Sequence, residues 1–124
     1  MPVIEGPQSP THELPHARFT SLATPSRGSA ETSVWRVEIA AGSEPAPHSV
    51  TREEIFVVLS GEASVEIDGE TRRACSGDAI VVPPDTLFSI ANAGDTPLTL
   101  LCALPVGGQA RLPDGEPFTP PWAL

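Results

Sequence analysis

Along most of the central chain, hydrophobic and polar residues alternate one by one. Over residues 33–40, Trp35, Val37 and Ile39 are separated by Arg36 and Glu38, the period of two expected of a strand with one buried face. Residues 55–59 form an unbroken apolar run of β-branched, aromatic and leucine residues, closed by Ser60-Gly61. Ala63, Val65 and Ile67 then alternate with Ser64, Glu66 and Asp68, and Asp68-Gly69 is a preferred two-residue hairpin turn. An apolar run at residues 79–82 stops at Pro83-Pro84, residues 87–90 follow, and residues 98–104 are the last strongly apolar run. No segment sustains a 3.6-residue period with capping residues. Seven or more short strands separated by turn signals predict an all-β sandwich or barrel.

The ends differ from the middle. Ten of the 15 prolines fall in residues 1–25 or 105–124. This predicts a core barrel over about residues 17–105, an extended N-terminal arm over 1–16 and an extended C-terminal tail over 106–124. The tail carries Gly107-Gly108, Pro113-Asp114-Gly115 and Pro120-Pro121, all turn or breaker chemistry. Phe118 and Trp122 are too apolar to leave in water, so the tail is expected to pack across the outside of the barrel or onto a neighbouring subunit.

Composition narrows the function. A chain of 124 residues with 40% hydrophobic residues makes one domain with a core of its own. Sixteen acids against seven bases give a net charge of −9, a field that repels nucleic acid and anionic lipid. No apolar stretch approaches the ~20 residues of a membrane span. The first residues, Met1-Pro2-Val3-Ile4-Glu5, lack the pattern of an export signal, so the expected location is cytoplasmic. Cys75 and Cys102 have no metal-site spacing and are read as reduced thiols. All seven bases are arginine and tyrosine is absent, which removes lysine Schiff-base and tyrosine acid/base chemistry.

Two spaced motifs carry a more specific signal. The first is Gly42-x5-His48-x-Val50-x3-Glu54-x6-Gly61; the second is Gly77-x5-Pro83-x-Asp85-x2-Phe88-x3-Asn92. In this order they resemble the two motifs of the cupin family, over roughly residues 33–104. The resemblance implies a double-stranded β-helix, or jelly-roll, barrel. It also implies four metal-ligand positions inside, which fall here on His48, Val50, Glu54 and Phe88. The family's second histidine is replaced by Val50, its last histidine by Phe88, and its second-motif glycine by Asp85. Valine and phenylalanine cannot coordinate. One imidazole and one carboxylate make a poor site for iron, manganese or zinc, so no metal cofactor is expected; any metal would rest on His48 and Glu54. His12 and His16 are read as solvated loop residues, and Glu53 as facing away from Glu54.

If the motif positions face inward, Trp35, Val37, Val50, Phe56, Phe88 and Ile90 line a mostly apolar cavity, with Cys102 able to face it from the last strand. His48 and Glu54 are then its main ionisable pair, free to move protons on a substrate or simply to satisfy each other. Three functions follow as expectations. The first is a metal-free cupin binding a small apolar or aromatic organic molecule. The second is a metal-independent isomerase or cyclase using His48 and Glu54 as acid and base. The third is a metal-dependent oxygenase with an altered ligand set. A homodimer is expected by analogy with small cupins. Asp85, standing where glycine is usual, is expected in a left-handed backbone, and Arg72 or Arg73 in a surface pair with Glu66 or Glu70.

Overall fold

The computed structural model of the chain describes residues 3–124. Eleven strands and two short 3-10 turns (Pro25–Arg27 and Pro121–Ala123) make up its regular structure. The strands are β1 (His12–Leu14), β2 (Ala17–Ala23), β3 (Thr32–Ile39), β4 (Ser49–Val50), β5 (Glu54–Ser60), β6 (Glu62–Ile67), β7 (Glu70–Cys75), β8 (Ala79–Val82), β9 (Phe88–Asn92), β10 (Leu98–Pro105) and β11 (Ala110–Arg111). They form a six-stranded sheet in the order β1-β2-β3-β10-β5-β8, a three-stranded sheet β7-β6-β9, and a short pair β11-β4. All pairings are antiparallel, and the sheets close as a jelly-roll barrel. Among the described residues no helix is long and apolar enough to cross a membrane.

The alternation read from the sequence becomes the inside and outside of this barrel. Along β10, Leu98, Leu100, Cys102 and Leu104 are buried while the residues between them are only partly covered. Strand pairing places Cys102 opposite Trp35 on one side and Phe56 on the other, and Phe56 opposite Ile80. One row of inward side chains therefore crosses four strands. Burying such a row supplies the main driving force for closing the barrel, at about 25 cal/mol per Å² of apolar surface.

Two turns depend on backbone that side chains rarely adopt. Asp68 and Gly69 have φ of 50° and 81°, the left-handed pair of a tight hairpin joining β6 to β7. Asp85 has φ of 56°, and its N–H donates to the Val50 carbonyl at 2.8 Å, so the aspartate does occupy a glycine-like conformation. Asp78 and Asn92 are turn residues: Asp78 Oδ2 accepts from Cys75 N–H, and Asn92 Oδ1 accepts from Gly94 N–H. On the surface Arg72 reaches Glu70, as expected, while Arg73 pairs with Glu62 across the β6–β7 ladder rather than with Glu66.

The chain ends differ from the expectation of extended arms. His12–Leu14 is a strand, hairpinned onto β2 in the register His12 to Phe19. The pattern around it is short and interrupted by Pro10 and Pro15, which hid it from period counting. The C-terminal tail lies neither across the outside nor away from the barrel. Trp122 stacks on the inward Phe19 with ring centres 3.7 Å apart and planes 7° from parallel. Ser21, Ser33 and Ser26 donate hydroxyl hydrogen bonds of 2.7–2.8 Å to the carbonyls of Trp122, Ala123 and Leu124. The last residues thus form part of the wall at the barrel mouth.

Gly61, between β5 and β6, has φ of +86°, and a Cβ there would meet the Pro97 carbonyl oxygen at 2.7 Å. Gly69 shares the left-handed backbone, with nothing near its missing Cβ. Gly61→Ala is therefore expected to lose about 2–4 kcal/mol of stability and Gly69→Ala only about 1 kcal/mol, read by urea denaturation.

Candidate functional site

The barrel interior opens to a cavity of about 280 Å³. Every sequence-derived candidate lies on its wall: Trp35, Val37, His48, Val50, Glu54, Phe56, Phe88, Ile90 and Cys102. They come from four directions. β3 contributes Trp35 and Val37, β5 contributes Glu54 and Phe56, β10 contributes Cys102, and β9 contributes Phe88 and Ile90. Val50 ends β4, just after His48. The parity argument holds because each pair two residues apart on a strand points the same way. Glu53 is exposed, on the side away from Glu54.

His48 sits at the mouth, held by backbone hydrogen bonds in both directions with Phe88, at 3.0 and 2.9 Å. Its ring lies 4.4 Å from the Phe88 ring, centre to centre. Nδ1 is 2.8 Å from the Ala46 carbonyl, which can only accept, so Nδ1 carries the proton and donates. Phe88 in turn tilts against Phe56 at 5.8 Å.

Glu54 is 4% exposed. Among the described residues its carboxyl has no hydrogen-bond or ion-pair partner. The expected pairing of His48 with Glu54 is not formed, because the imidazole is committed to Ala46 and Phe88 at the rim. With no compensating charge, burial pushes the Glu54 carboxyl up from its ordinary 4.5 to about 8. The fully buried Cys102 thiol is also raised, first by its own burial and then by the charge of Glu54. It is a cavity-wall thiol with no activated-nucleophile character.

Val50 and Phe88, each 2% exposed, stand at two of the four positions that the resemblance to cupins assigns to metal ligands, and neither side chain can coordinate. Among the described residues no group of three or more histidine, cysteine, aspartate or glutamate side chains converges to hold an ion.

Some cavity residues escaped the sequence reading. Phe19, Leu100 and Leu104 line it from β2 and β10, and the parity that picked out Cys102 was enough to find the two leucines. His16 and Glu44 stand on its rim. His16, read as a solvated loop residue, is brought there by the β1–β2 turn. His12, read the same way, is half-buried and edge-on to Trp122 with centres 6.4 Å apart. Phe118 and Trp122 of the tail complete the wall, a placement that no local pattern encodes.

With this geometry in view, comparison with known proteins agrees. Residues 35–104 match the family model described as a cupin domain, and the chain belongs to that family. An uncharacterized protein of Methanocaldococcus jannaschii is 40% identical over 52 residues, a segment covering 42% of each chain. Among solved structures, salicylate 1,2-dioxygenase from Pseudoaminobacter salicylatoxidans superposes with a TM-score of 0.70 at 20% identity. That match covers 85% of this chain and 31% of the dioxygenase, so the likeness is to less than a third of that protein. KdgF from Halomonas sp. superposes with a TM-score of 0.63 at 26% identity, covering 77% of this chain and 86% of the other.

The Glu54 carboxyl makes stability depend on pH. The folded state holds this proton more tightly than the unfolded chain does. Its stabilising contribution is therefore complete below about 4.5, falls as pH rises, and is lost above about 8. The decline is expected to approach about 1.4 kcal/mol per pH unit inside that window. In Glu54→Gln this decline disappears and the variant is the more stable protein above pH 8, measured by denaturant titration across pH.

Proposed function

We propose that this cupin binds a small organic molecule with an apolar or aromatic body in its barrel, without a metal. The observation that carries the reading is the wall itself. Two ligand positions of the ancestral type are hydrocarbon, and the remaining carboxyl, Glu54, is buried without a protein partner. The cavity volume, about 280 Å³, lies at the small end of the roughly 300–1,000 Å³ usual for small-molecule sites. A mostly apolar wall supplies affinity, and one unpartnered polar group supplies orientation. That group is Glu54. Protonated, it donates to a ligand oxygen or nitrogen; ionised, it accepts from a ligand N–H or O–H.

A second reading, metal-independent proton transfer, is favoured by a specific observation: burial holds Glu54 near the pH of neutral solution. A carboxyl poised there exchanges protons efficiently with a bound substrate, as an isomerisation or cyclisation requires. His48 lies on the same cavity, and with Nδ1 engaged by Ala46 its Nε2 is the ring nitrogen left to exchange a proton with the substrate. The dioxygenase that shares the fold does so at 20% identity, which carries the barrel and not the chemistry.

The experiment combines metal analysis of purified, untagged protein with a thermal-shift screen of small aromatic and alicyclic compounds. Binding compounds are then followed for turnover in the parent and in His48→Ala and Glu54→Ala. The expected result is no stoichiometric metal and a rise in melting temperature with apolar ring compounds. Stoichiometric iron, manganese, nickel or zinc overturns the metal-free reading, and turnover that survives both substitutions overturns the proton-transfer reading.

The partner surface also has a physical basis. On the outside of the six-stranded sheet, Ile55, Val57, Ala79, Val81, Leu101 and Ala103 pair across β8, β5 and β10 into one apolar patch. Val81 is 52% exposed and the neighbouring Leu59 44%. The outward face of the other sheet is mainly polar, with Glu62, Ser64, Glu66, Thr71, Arg73 and Ser89 beside Ala91 and Cys75. A second copy presents the same apolar patch and is the occupant proposed, as a two-fold homodimer. Light scattering at micromolar concentration is expected to give twice the chain mass, and Val57→Glu the mass of one chain. A monomeric parent protein overturns the dimer.

A further inference from the structure

The chain contains two tryptophans, four phenylalanines and no tyrosine. All six aromatic side chains (Phe19, Trp35, Phe56, Phe88, Phe118 and Trp122) line the one barrel cavity. They are interleaved on this wall with aliphatic side chains, among them Val37, Val50, Ile90 and Leu100. Aromatic faces differ from aliphatic walls in one respect: they carry negative electrostatic potential and attract cations. The rings also present more than one orientation. Phe19 and Trp122 are stacked on one side, while Phe88 is tilted 50° to His48 and 55° to Phe56 on another.

The charges on the cavity agree in sign. Two carboxyl side chains, Glu44 and Glu54, are on its wall, and none of the seven arginines is. The other titratable groups facing it are His16 and His48 at the mouth and the Cys102 thiol inside. Glu54 is buried on the cavity wall and has no partner among the described residues, so a cationic ligand supplies the balancing charge when the carboxyl is ionised. An anionic ligand meets no arginine or lysine there and has a carboxyl for a neighbour.

From the aromatic rings on the wall, the unpartnered carboxyl and the absence of arginine and lysine from the lining, we infer that the ligand is an organic cation, an ammonium group on a compact hydrocarbon or aromatic body. This deepens the small-molecule reading above and rests on it. The aromatic faces surround the cationic head, which is most favourable where water is excluded, and Glu54 neutralises it. The hydrocarbon body fills the apolar remainder.

Three compounds of matched shape separate charge from shape. Phenyltrimethylammonium, tert-butylbenzene and benzenesulfonate place a cationic, neutral or anionic tetrahedral head on the same ring. Each is titrated into the full chain at about pH 9, where even a carboxyl buried like Glu54 is ionised, and binding is read by quenching of Trp35 and Trp122 fluorescence and by calorimetry. The cation is expected to bind about tenfold or more tightly than tert-butylbenzene, and benzenesulfonate not to saturate. In Glu54→Gln, whose folding is checked by its melting curve, the cation is expected to lose that advantage to within about threefold. Equal or tighter binding of tert-butylbenzene to the parent protein, saturation by benzenesulfonate, or a preference that survives Glu54→Gln overturns cation recognition and leaves the apolar cavity standing. If none of the three binds at millimolar concentration, cation recognition and the small-molecule reading fall together.

Discussion

Side chains on a strand point alternately to its two faces, and in this protein that constraint decides almost everything else. Four neighbouring strands, β3, β10, β5 and β8, are paired so that their inward positions fall in common rows. A slip of one residue in any of them would send Trp35, Cys102, Phe56 or Ile80 to the outside and bring polar or exposed neighbours in. Because the inward row is apolar nearly throughout, the register is strongly specified. The same alternation that forms the core also lines the cavity, since the cavity is the part of the core that side chains leave unfilled.

Glu54 is the one charged residue type that this register carries deep inside. A carboxyl in such a place must be paired, held neutral or matched by something from outside. Among the described residues the barrel provides no partner, and the motif positions nearby are held by the hydrocarbon side chains of Val50 and Phe88. Its buried neighbour Cys102 adds no positive charge and is itself pushed toward the neutral thiol. The interior therefore stores an unmet electrostatic demand in an otherwise hydrocarbon cavity. This demand, more than the fold, distinguishes the site from a merely well-packed core.

The mouth and the outer faces divide the remaining surface. The tail folds back so that Trp122 stacks on Phe19 and three serine hydroxyls hold the last carbonyls, which gives the polar backbone of this segment partners at the barrel rim. Residues 7–10 lie beside the outward Arg18, Thr20, Arg36 and Glu38, so the polar half of the large sheet is flanked by the chain's own N-terminal segment. The apolar half, over β10, β5 and β8, leaves Leu59 and Val81 exposed among the described residues. The unbroken apolar run of β5 follows from this arrangement, as a strand with apolar residues on both faces serves a core on one side and another surface on the other.

Much of this was legible in the one-dimensional pattern. Period-two alternation located β3 and β6, an apolar run located β10, the Asp68-Gly69 pair located a hairpin, and the two spaced motifs identified the barrel and put nine side chains on one wall. These features are local: they depend on pleat, turn chemistry and residue spacing, which a linear chain expresses directly. What the pattern did not contain were contacts between residues far apart in the chain. The approach of Trp122 to Phe19 and the arrival of His16 at the rim join distant segments or follow a turn with no regular period. The separation of His48 from Glu54 was hidden for a related reason: six residues apart in sequence, they belong to different sheets, and the imidazole found closer partners in Ala46 and Phe88. Residue types and their alternation determined which side chains face inward; only the closing of the barrel decided which of them meet, because a distance across a cavity is set by how the sheets pack and not by the spacing along either strand.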